Sequence, residues 1–300
     1  MGQTVLEMTG IKKSFAGIYA LNGIDFVKAV SFIGKVGNDM HGKFLIEAVE
    51  NQNINSDGII LDDNVFTTLA FVNLTKDGER SFAFARKPGA DTMIGYKEVD
   101  TQILQNTKVF HVGSLSLTDE PARSTTFQAV KCAKNAGAVI SYDPNYRAPL
   151  WNDEKTAIER MRSMLPFADM IKLSDEETAL LTPYENPDEA ANYLLDHGIK
   201  IVAVTLGKEG VLICNRKDHQ KVSGFSSQVV DTTGAGDSFW GGFMSQFVKS
   251  KLNPEDCSIE ELKKFARYGN AVASLCIEKK GGILSIPEEK ETFKRLQLSV

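Results

Sequence analysis

Residues 229–243 of this 300-residue chain are Val-Val-Asp-Thr-Thr-Gly-Ala-Gly-Asp-Ser-Phe-Trp-Gly-Gly-Phe. After the glycines, bulky apolar residues recur as Phe239, Phe243 and Phe247. This i, i+4, i+8 spacing predicts one apolar stripe of a helix that begins at the glycines. Small residues ahead of a helix let the backbone approach an anion, and the first N–H groups of the helix point at that anion.

Asp237 would lie at the start of this helix, beside the bound anion. A carboxylate next to an anion-binding turn suits phosphoryl transfer, because the amides hold charge on the transferring group while the carboxylate takes the proton of an attacking hydroxyl. The alternative for a bare Gly-x-Gly-Asp is a glycine turn capped by an aspartate. A dinucleotide-binding turn is excluded, since Phe239 occupies the position of its third glycine.

The composition excludes several classes of function. At 300 residues, 42% of them apolar, the chain is long enough for one sizeable α/β core. A net charge of −5 and a pI ≈ 5.5 provide no basic surface for nucleic acid or an anionic membrane. No apolar run approaches the roughly 18 residues of a membrane span, and no basic-then-apolar leader opens the sequence. The four cysteines and four histidines lack metal-site spacing, so we expect reduced thiols in a cytoplasmic enzyme.

Predicted strands and helices alternate through the middle of the chain. The strands are 109–113, 139–143, 170–173 and 201–206, and the helices between them are 121–136, 155–167 and 188–197. Repeated βα units with short connections predict a doubly wound, mostly parallel sheet flanked by helices. Ligands of such sheets lie beyond the carboxyl ends of the strands, where Asp143, Glu177, Gly207 and Asp231 fall.

A separate β-ribbon is predicted earlier in the chain, ahead of these βα units. Residues 67–74 and 80–85 are apolar runs joined by a segment that contains Asp77-Gly78, a strong hairpin signal. This ribbon, about residues 67–86, would lie outside the main sheet. Before it, the pattern predicts a strand over 29–37 and a helix over 38–51.

The stretch 229–243 resembles the C-terminal motif of the PfkB (ribokinase-like) family of sugar kinases, and Val36-Gly37-Asn38-Asp39-x-x-Gly42 resembles the first conserved block of that family. The resemblance implies an ATP-dependent kinase that uses Mg²⁺ and a small sugar. It also implies an anion hole made by the amides of Gly234, Ala235 and Gly236, with Asp237 as catalytic base, and a ribbon that covers the sugar. Over several segments the chain looks most like bacterial fructokinases, so fructose is the expected substrate. Ribokinase and aminoimidazole riboside kinase are the alternatives among kinases.

Further site residues follow from the same resemblance. Asp143-Pro144-Asn145-Tyr146-Arg147 matches the D-x-N-x-R pattern of the family near the sugar and the transferred phosphate. Asp143, Asn145 and Arg147 are therefore expected to bind substrate, and Arg147 can match phosphate geometry bidentately. From the residues alone, a Pro-Asn turn with a solvated arginine is equally open. Arg86, at the end of the ribbon, is a further sugar-site residue by resemblance.

The metal and nucleotide residues are also implied by resemblance. Ser174-Asp175-Glu176-Glu177 corresponds to the N-x-x-E motif of the family with serine in place of asparagine, which gives Glu177 a role near Mg²⁺. The same spacing fits a capping box, and both roles can hold together. The ATP-site candidates, for which a plain hairpin turn and small-residue helix packing are the alternatives, are Thr205, Gly207, Gly210, Thr232 and Asn270.

Residues 1–28 form an atypical segment ahead of the kinase domain expected over 29–300. Residues 5–26 alternate short apolar runs with turn residues and resemble the opening strands of a sugar ABC transporter ATPase, yet no G-x-x-x-x-G-K-[ST] loop follows. The chain also lacks the Asp-containing first strand and the G-G-A-x-x-N turn with which fructokinases bind sugar hydroxyls. The competing hypothesis is therefore a degenerate kinase fold that binds nucleotide without turning over sugar. The lids of related kinases often pair between subunits, so the resemblance also implies a homodimer.

Overall fold

A computed structural model describes residues 30–74, 80–281 and 283–297. The predictions for residues 1–28 and for the Asp-Gly turn of the ribbon lie outside this range. The described strands are β1 (Gly34–Gly37), β2 (Ile59–Asp62), β3 (Leu69–Leu74), β4 (Arg80–Ala85), β5 (Val109–Gly113), β6 (Val139–Asp143), β7 (Met170–Ser174), β8 (Ile201–Thr205), β9 (Val211–Cys214) and β10 (His219–Val222). The described α-helices are α1 (Met40–Glu50), α2 (Thr101–Gln105), α3 (Ala122–Asn135), α4 (Glu154–Arg162), α5 (Thr178–Leu181), α6 (Pro187–Asp196), α7 (Ala235–Ser250), α8 (Ile259–Cys276) and α9 (Glu289–Gln297).

The main sheet has six strands in the order β10-β9-β8-β7-β6-β5. Strands β5 to β8 run parallel, β9 pairs antiparallel with β8, and β10 pairs antiparallel with β9. The predicted α/β fold, doubly wound and mostly parallel, is thus confirmed as a mixed sheet. Among the described residues β5 forms one edge of this sheet, and β1 and β2 form a separate parallel pair.

Helices cover both faces of the main sheet. One face packs against α3, α4 and α6, and the other against α7 and α8. The predicted stripe of Phe239, Phe243 and Phe247 is at most 2% exposed and packs on the second face. Burying each such ring contributes about 1.5–3 kcal/mol, so this stripe fixes where the start of α7 lies on the sheet.

The structure corrects several predicted boundaries. The strand expected over 29–37 is confined to β1, with an isolated bridge at Ser31. The helix expected over 155–167 ends at Arg162, and a 3₁₀ turn follows at Leu165–Phe167, where Pro166 cannot donate to an α-helical ladder. Strands β2 and β10 were not predicted, because each is only four residues long and β10 carries His219, Gln220 and Lys221.

The predicted ribbon is confirmed as the antiparallel pair β3–β4, in which Leu69 pairs with Ala85. Asp39 fixes the chain just ahead of the ribbon: its two carboxylate oxygens accept hydrogen bonds from the N–H of Thr67 (2.8 Å) and from its hydroxyl (2.9 Å). The same carboxylate caps α1. The ribbon is therefore joined to the body of the molecule through the start of α1.

Asp91 connects both ends of the ribbon. Its carboxylate accepts a hydrogen bond from the hydroxyl of Thr68, which precedes β3, and forms an ion pair of 2.6 Å with Arg86, which follows β4. The guanidinium of Arg86 also donates to the hydroxyl of Thr118 and to the carbonyl of Leu115, both at 2.8 Å.

Candidate active site

The motif at 229–243 forms a turn followed by α7, as predicted. Gly234 has φ 87°, a left-handed conformation that glycine adopts without steric cost, and α7 starts at the next residue. Among the described side chains, none caps the start of α7. The first N–H groups of any helix lack acceptors within the helix, so this turn presents donors and the positive end of the helix dipole to an anion.

Asp237 lies in the first turn of α7 and is 9% exposed. Its Oδ1 accepts a hydrogen bond of 3.1 Å from the side-chain amide of Asn145. Asn145 has φ 48°, a left-handed conformation that asparagine tolerates better than most residues. The loop after β6 is thereby turned toward α7, and two of the predicted site residues are brought together.

A buried ion pair lies beneath the turn. Asp143, at the end of β6, is fully buried, and its two oxygens lie 3.0 and 2.8 Å from Nζ of Lys172 on β7. A Cβ added at Gly236 would be 3.0 Å from the same nitrogen. The ammonium of Lys172 therefore packs directly against the turn that precedes α7. Sequence reasoning missed Lys172, although a lysine between Met170, Ile171 and Leu173 in a buried strand was a signal.

Burial and neighbouring charges shift the pKa values in this cluster. Burial raises the pKa of Asp143 to about 6, even though Lys172 favours its charged form. Burial by itself would lower the pKa of Lys172, but Asp143, Glu177 and Asp237 together raise it above its usual value. Lys172 therefore keeps its positive charge. Burial lowers the pKa of His111 on β5 to about 3, so this imidazole is neutral beside the pair.

Glu177 holds the loop after β6 to the end of β7. One carboxylate oxygen accepts from the N–H of Tyr146 at 2.7 Å, and the other accepts from the N–H of Ser174 at 2.8 Å and from its hydroxyl at 3.2 Å. The capping role predicted for Ser174 and Glu177 is present. Within the described ranges, no group of three or more acidic, His or Cys side chains is arranged to hold a metal ion. The metal role of Glu177 stays a prediction.

The two predicted arginines lie in different settings. Arg147 is exposed, and its guanidinium donates to the carbonyl of Tyr146 at 2.8 Å. Arg86 is 7% exposed and is bound at the base of the ribbon to Asp91 and Thr118. Arg147 can therefore turn toward a ligand, whereas Arg86 is held in place. Their substrate roles stay predictions.

Two of the nucleotide-site candidates meet at one segment. Gly210 has φ 99°, and a Cβ there would clash with the carbonyl oxygen of Val222. The side-chain amide of Asn270 donates to the carbonyls of Val222 (3.0 Å) and Ser223 (3.1 Å). Asn270 therefore fixes the segment that follows β10. The sequence had suggested two other roles for this residue, a place near the adenine of ATP or simple helix packing.

The other nucleotide candidates follow strand ends or precede α7. The hydroxyl of Thr205 lies 3.4 Å from the carbonyl of Leu173, and Gly207 has φ 55° in the turn after β8. The carbonyl of Thr232 accepts from the N–H of Ala235 at 3.2 Å. Next to this stretch is an open cleft of ≈ 490 Å³, lined by Ser226, Ser227, Gln228, Val230 and Glu278.

A family model described as "pfkB family carbohydrate kinase" matches residues 11–289. The chain belongs to this family. This pfkB kinase is a carbohydrate kinase, as the sequence predicted. The matched range begins inside residues 1–28, and the resemblance of that segment to a transporter ATPase stays a prediction.

Curated relatives and solved structures agree with this family. The kinase is 37% identical to probable fructokinase-5 of Arabidopsis thaliana, over 99% of this chain and 92% of the relative. It is 39% identical to fructokinase-2 of Solanum lycopersicum, over 99% and 91%. A crystal structure of fructokinase from Xylella fastidiosa with bound ATP matches with a TM-score of 0.83 at 30% identity, covering 90% of this chain and 85% of that one. The fructokinase of Vibrio cholerae O395, solved with fructose, ADP and a calcium ion, matches with a TM-score of 0.81 at 29% identity, covering 89% and 85%.

Proposed function

We propose that this pfkB kinase transfers the γ-phosphoryl group of ATP to a hydroxyl of fructose. The observation that carries the proposal is the position of Asp237, in the first turn of α7 directly after the left-handed turn at Gly234. The relatives named as fructokinases and the fructose-bound structure from Vibrio cholerae support the choice of sugar.

The residues of the turn and of the loop after β6 divide the work of phosphoryl transfer. Asp237 takes the proton of the attacking hydroxyl as the new P–O bond forms, while the bond between the γ-phosphorus and the bridging oxygen breaks and its electron pair leaves with ADP. The hydrogen bond from Asn145 holds the carboxylate of Asp237 in one orientation. The amides of Gly234 and Gly236 hold the negative charge of the transferring group, and the amide of Ala235 joins them when it leaves the carbonyl of Thr232. Arg147, which is exposed, would place a positive charge next to the phosphates.

The donor set fits a metal ion that arrives with the nucleotide. The carboxylate of Asp143 is paired with Lys172, and both oxygens of Glu177 are bound to backbone amides. Mg²⁺ usually keeps several waters and binds through substrate phosphates, so Asp237 would face those waters while Glu177 would hold the loop around them. When bound, Mg²⁺ neutralises charge on the ATP phosphates.

Replacement of Asp237 by asparagine tests the assignment, because the amide has nearly the same volume but cannot take the proton. We expect kcat to fall by about 10²–10⁴-fold with little change in the KM for ATP, measured by coupled ADP release with fructose, ribose and aminoimidazole riboside. Asp196→Asn is the matched control, since Asp196 is exposed at the end of α6 on the opposite face of the sheet. Nucleotide binding without turnover of any of these sugars by the unmodified chain would support the degenerate-kinase hypothesis instead.

We also propose a homodimer that pairs through the ribbon. Phe71 on β3 is 58% exposed, and Phe66 just before the ribbon is 79% exposed. Large apolar side chains grouped in this way are typical of protein interfaces. The expected cytoplasmic location is a further proposal, supported by four cysteines that are all free thiols. Among the described helices, none is long and apolar enough to span a membrane.

A further inference from the structure

Lys172 occupies a position where the fold calls for an apolar side chain. Alternate residues of β7 face opposite sides of the sheet, so Lys172 shares a face with Met170, which packs under α7 beside Phe239 and Trp240. Lys172 is only 5% exposed. A buried lysine costs free energy unless its charge is compensated, so its presence in this core requires a specific reason.

The position of its ammonium is unfavourable for the empty protein. Nζ of Lys172 lies against Gly236, in the first turn of α7. The start of a helix carries a partial positive charge, which repels a cation. The bond to Asp143 compensates for this repulsion in the structure described here. A stabilising ion pair alone would not need to be placed at the positive end of a helix.

The surrounding acids make a positive charge necessary for an anionic ligand. Asp143, Glu177 and Asp237 all act electrostatically on Lys172, and His111, which also interacts with Lys172, is neutral. Without Lys172, a phosphoryl group at the turn would meet these like charges with only backbone dipoles and the exposed Arg147 to offset them. The ammonium balances part of this negative charge from beneath the turn.

We propose that Lys172 is a positioning residue whose positive charge, next to the anion-binding turn, stabilises the terminal phosphoryl group of ATP at that turn. While the turn is empty, Asp143 is the counter-ion of Lys172. This inference rests on the proposed function, because it assumes that the phosphoryl group lies at residues 234–236. Lys172 acts through the turn, since its nitrogen lies behind Gly236. The lysine therefore favours ATP over ADP.

The first test compares two nucleotides without any sugar, by titration calorimetry with the β,γ-imido analogue of ATP and with ADP. A unit charge acting over several ångströms at an effective dielectric constant of about 20 changes an equilibrium by roughly ten- to a hundredfold. We expect Lys172→Met to weaken binding of the ATP analogue by this factor and binding of ADP by no more than about threefold. Lys172→Arg should restore part of the lost preference for the ATP analogue over ADP. Equal losses for the two nucleotides, or no loss, would overturn the proposal. Since no sugar is present, a failure of fructose turnover would not affect this result.

The second test separates Lys172 from its partner. The double variant Lys172→Met with Asp143→Asn removes both charges of the pair, so neither partner remains as a buried ion without the other, and it can fold where Lys172→Met alone does not. We expect it to bind the ATP analogue at least about tenfold more weakly than Asp143→Asn alone. If these two variants bound the analogue equally, Lys172 would act only as the counter-ion of Asp143, and the proposal would be wrong.

Lys134 provides the matched control. Its Nζ lies 3.1 Å from Asp169, which directly precedes β7, so this pair lies at the opposite end of the same strand from the site. We expect Lys134→Met to change neither nucleotide affinity. A loss of discrimination between ATP and ADP in Lys134→Met as large as in Lys172→Met would show that the effect is general, and would overturn the proposal.

Discussion

The substitution Glu177→Gln decides between a structural and a metal-binding role for this carboxylate. Its two oxygens accept backbone N–H groups from different segments, Tyr146 and Ser174. Glutamine has the same shape but only one acceptor atom, so in either orientation an amide group must face one of these N–H groups. A hydrogen bond to a charged acceptor contributes about 1.5–3 kcal/mol, and a buried donor left unsatisfied costs about 1–3 kcal/mol. These amounts overlap, so we expect the free energy of unfolding to fall by about 2–4 kcal/mol.

Two electrostatic effects of the same substitution oppose each other. Glu177 repels Asp143 and attracts Lys172, so its neutralisation relieves one interaction and removes the other. The loss of stability should therefore reflect mainly the hydrogen bonds.

Urea unfolding and the Mg²⁺ dependence of kcat/KM together measure the two roles of Glu177. We expect a lower unfolding midpoint and an unchanged Mg²⁺ concentration for half-maximal activity. Glu176→Gln is the control, because Glu176 is exposed on the same turn and should match the unmodified chain in both assays. Unfolding within about 0.5 kcal/mol of the unmodified chain, with a tenfold greater Mg²⁺ requirement, would refute the structural role.

Three further predictions concern other parts of the molecule. Gly210→Ala combines φ 99° with a clash against the carbonyl of Val222, so it should destabilise by at least about 1–2 kcal/mol in thermal or urea unfolding and raise the KM for ATP. His111 is neutral in the folded protein because burial lowers its pKa to about 3, whereas the unfolded chain titrates near about 6.5. The free energy of unfolding should thus fall as the pH drops from about 6.5 toward 3, and His111→Gln should reduce that slope in urea titrations at several pH values. Phe71→Ser should lower the sedimentation coefficient from the value of a dimer toward that of a monomer. An unchanged coefficient would show that the ribbon does not form the interface.

The main sheet and the turn before α7 were predictable because their signals are local and periodic. Strand 109–113 and strand 139–143 have the predicted boundaries, since each is an apolar run bounded by turn residues. The stripe of Phe239, Phe243 and Phe247 gave the buried face of α7 in the same way. Strand β10 could not be found, because its sequence HQKV carries no apolar pattern and its pairing with β9 is a tertiary contact.

Side-chain partners were less predictable than backbone elements. The sequence indicated that Asp143, Asn145 and Asp237 belong to one site, but their contacts depend on loop conformation, such as φ 48° at Asn145. Lys172 was missed because its partner is 29 residues away, and a strand pattern alone does not show which buried charge is paired. Arg86 lies at the end of the ribbon as expected, yet its bonds to Asp91 and Thr118 were not foreseeable from spacing.

The bonds of Asp91 have a mechanical consequence for the ribbon. Because Thr68 and Arg86 share this one carboxylate, the two strands cannot pivot separately at their roots. The bonds of this carboxylate therefore couple the two ends of the ribbon and add to its attachment through Asp39. Asp91→Asn would weaken the attachments at both ends of the ribbon at once. The whole ribbon could then tilt over a wider range of angles, while the hydrogen bonds between β3 and β4 stay unchanged.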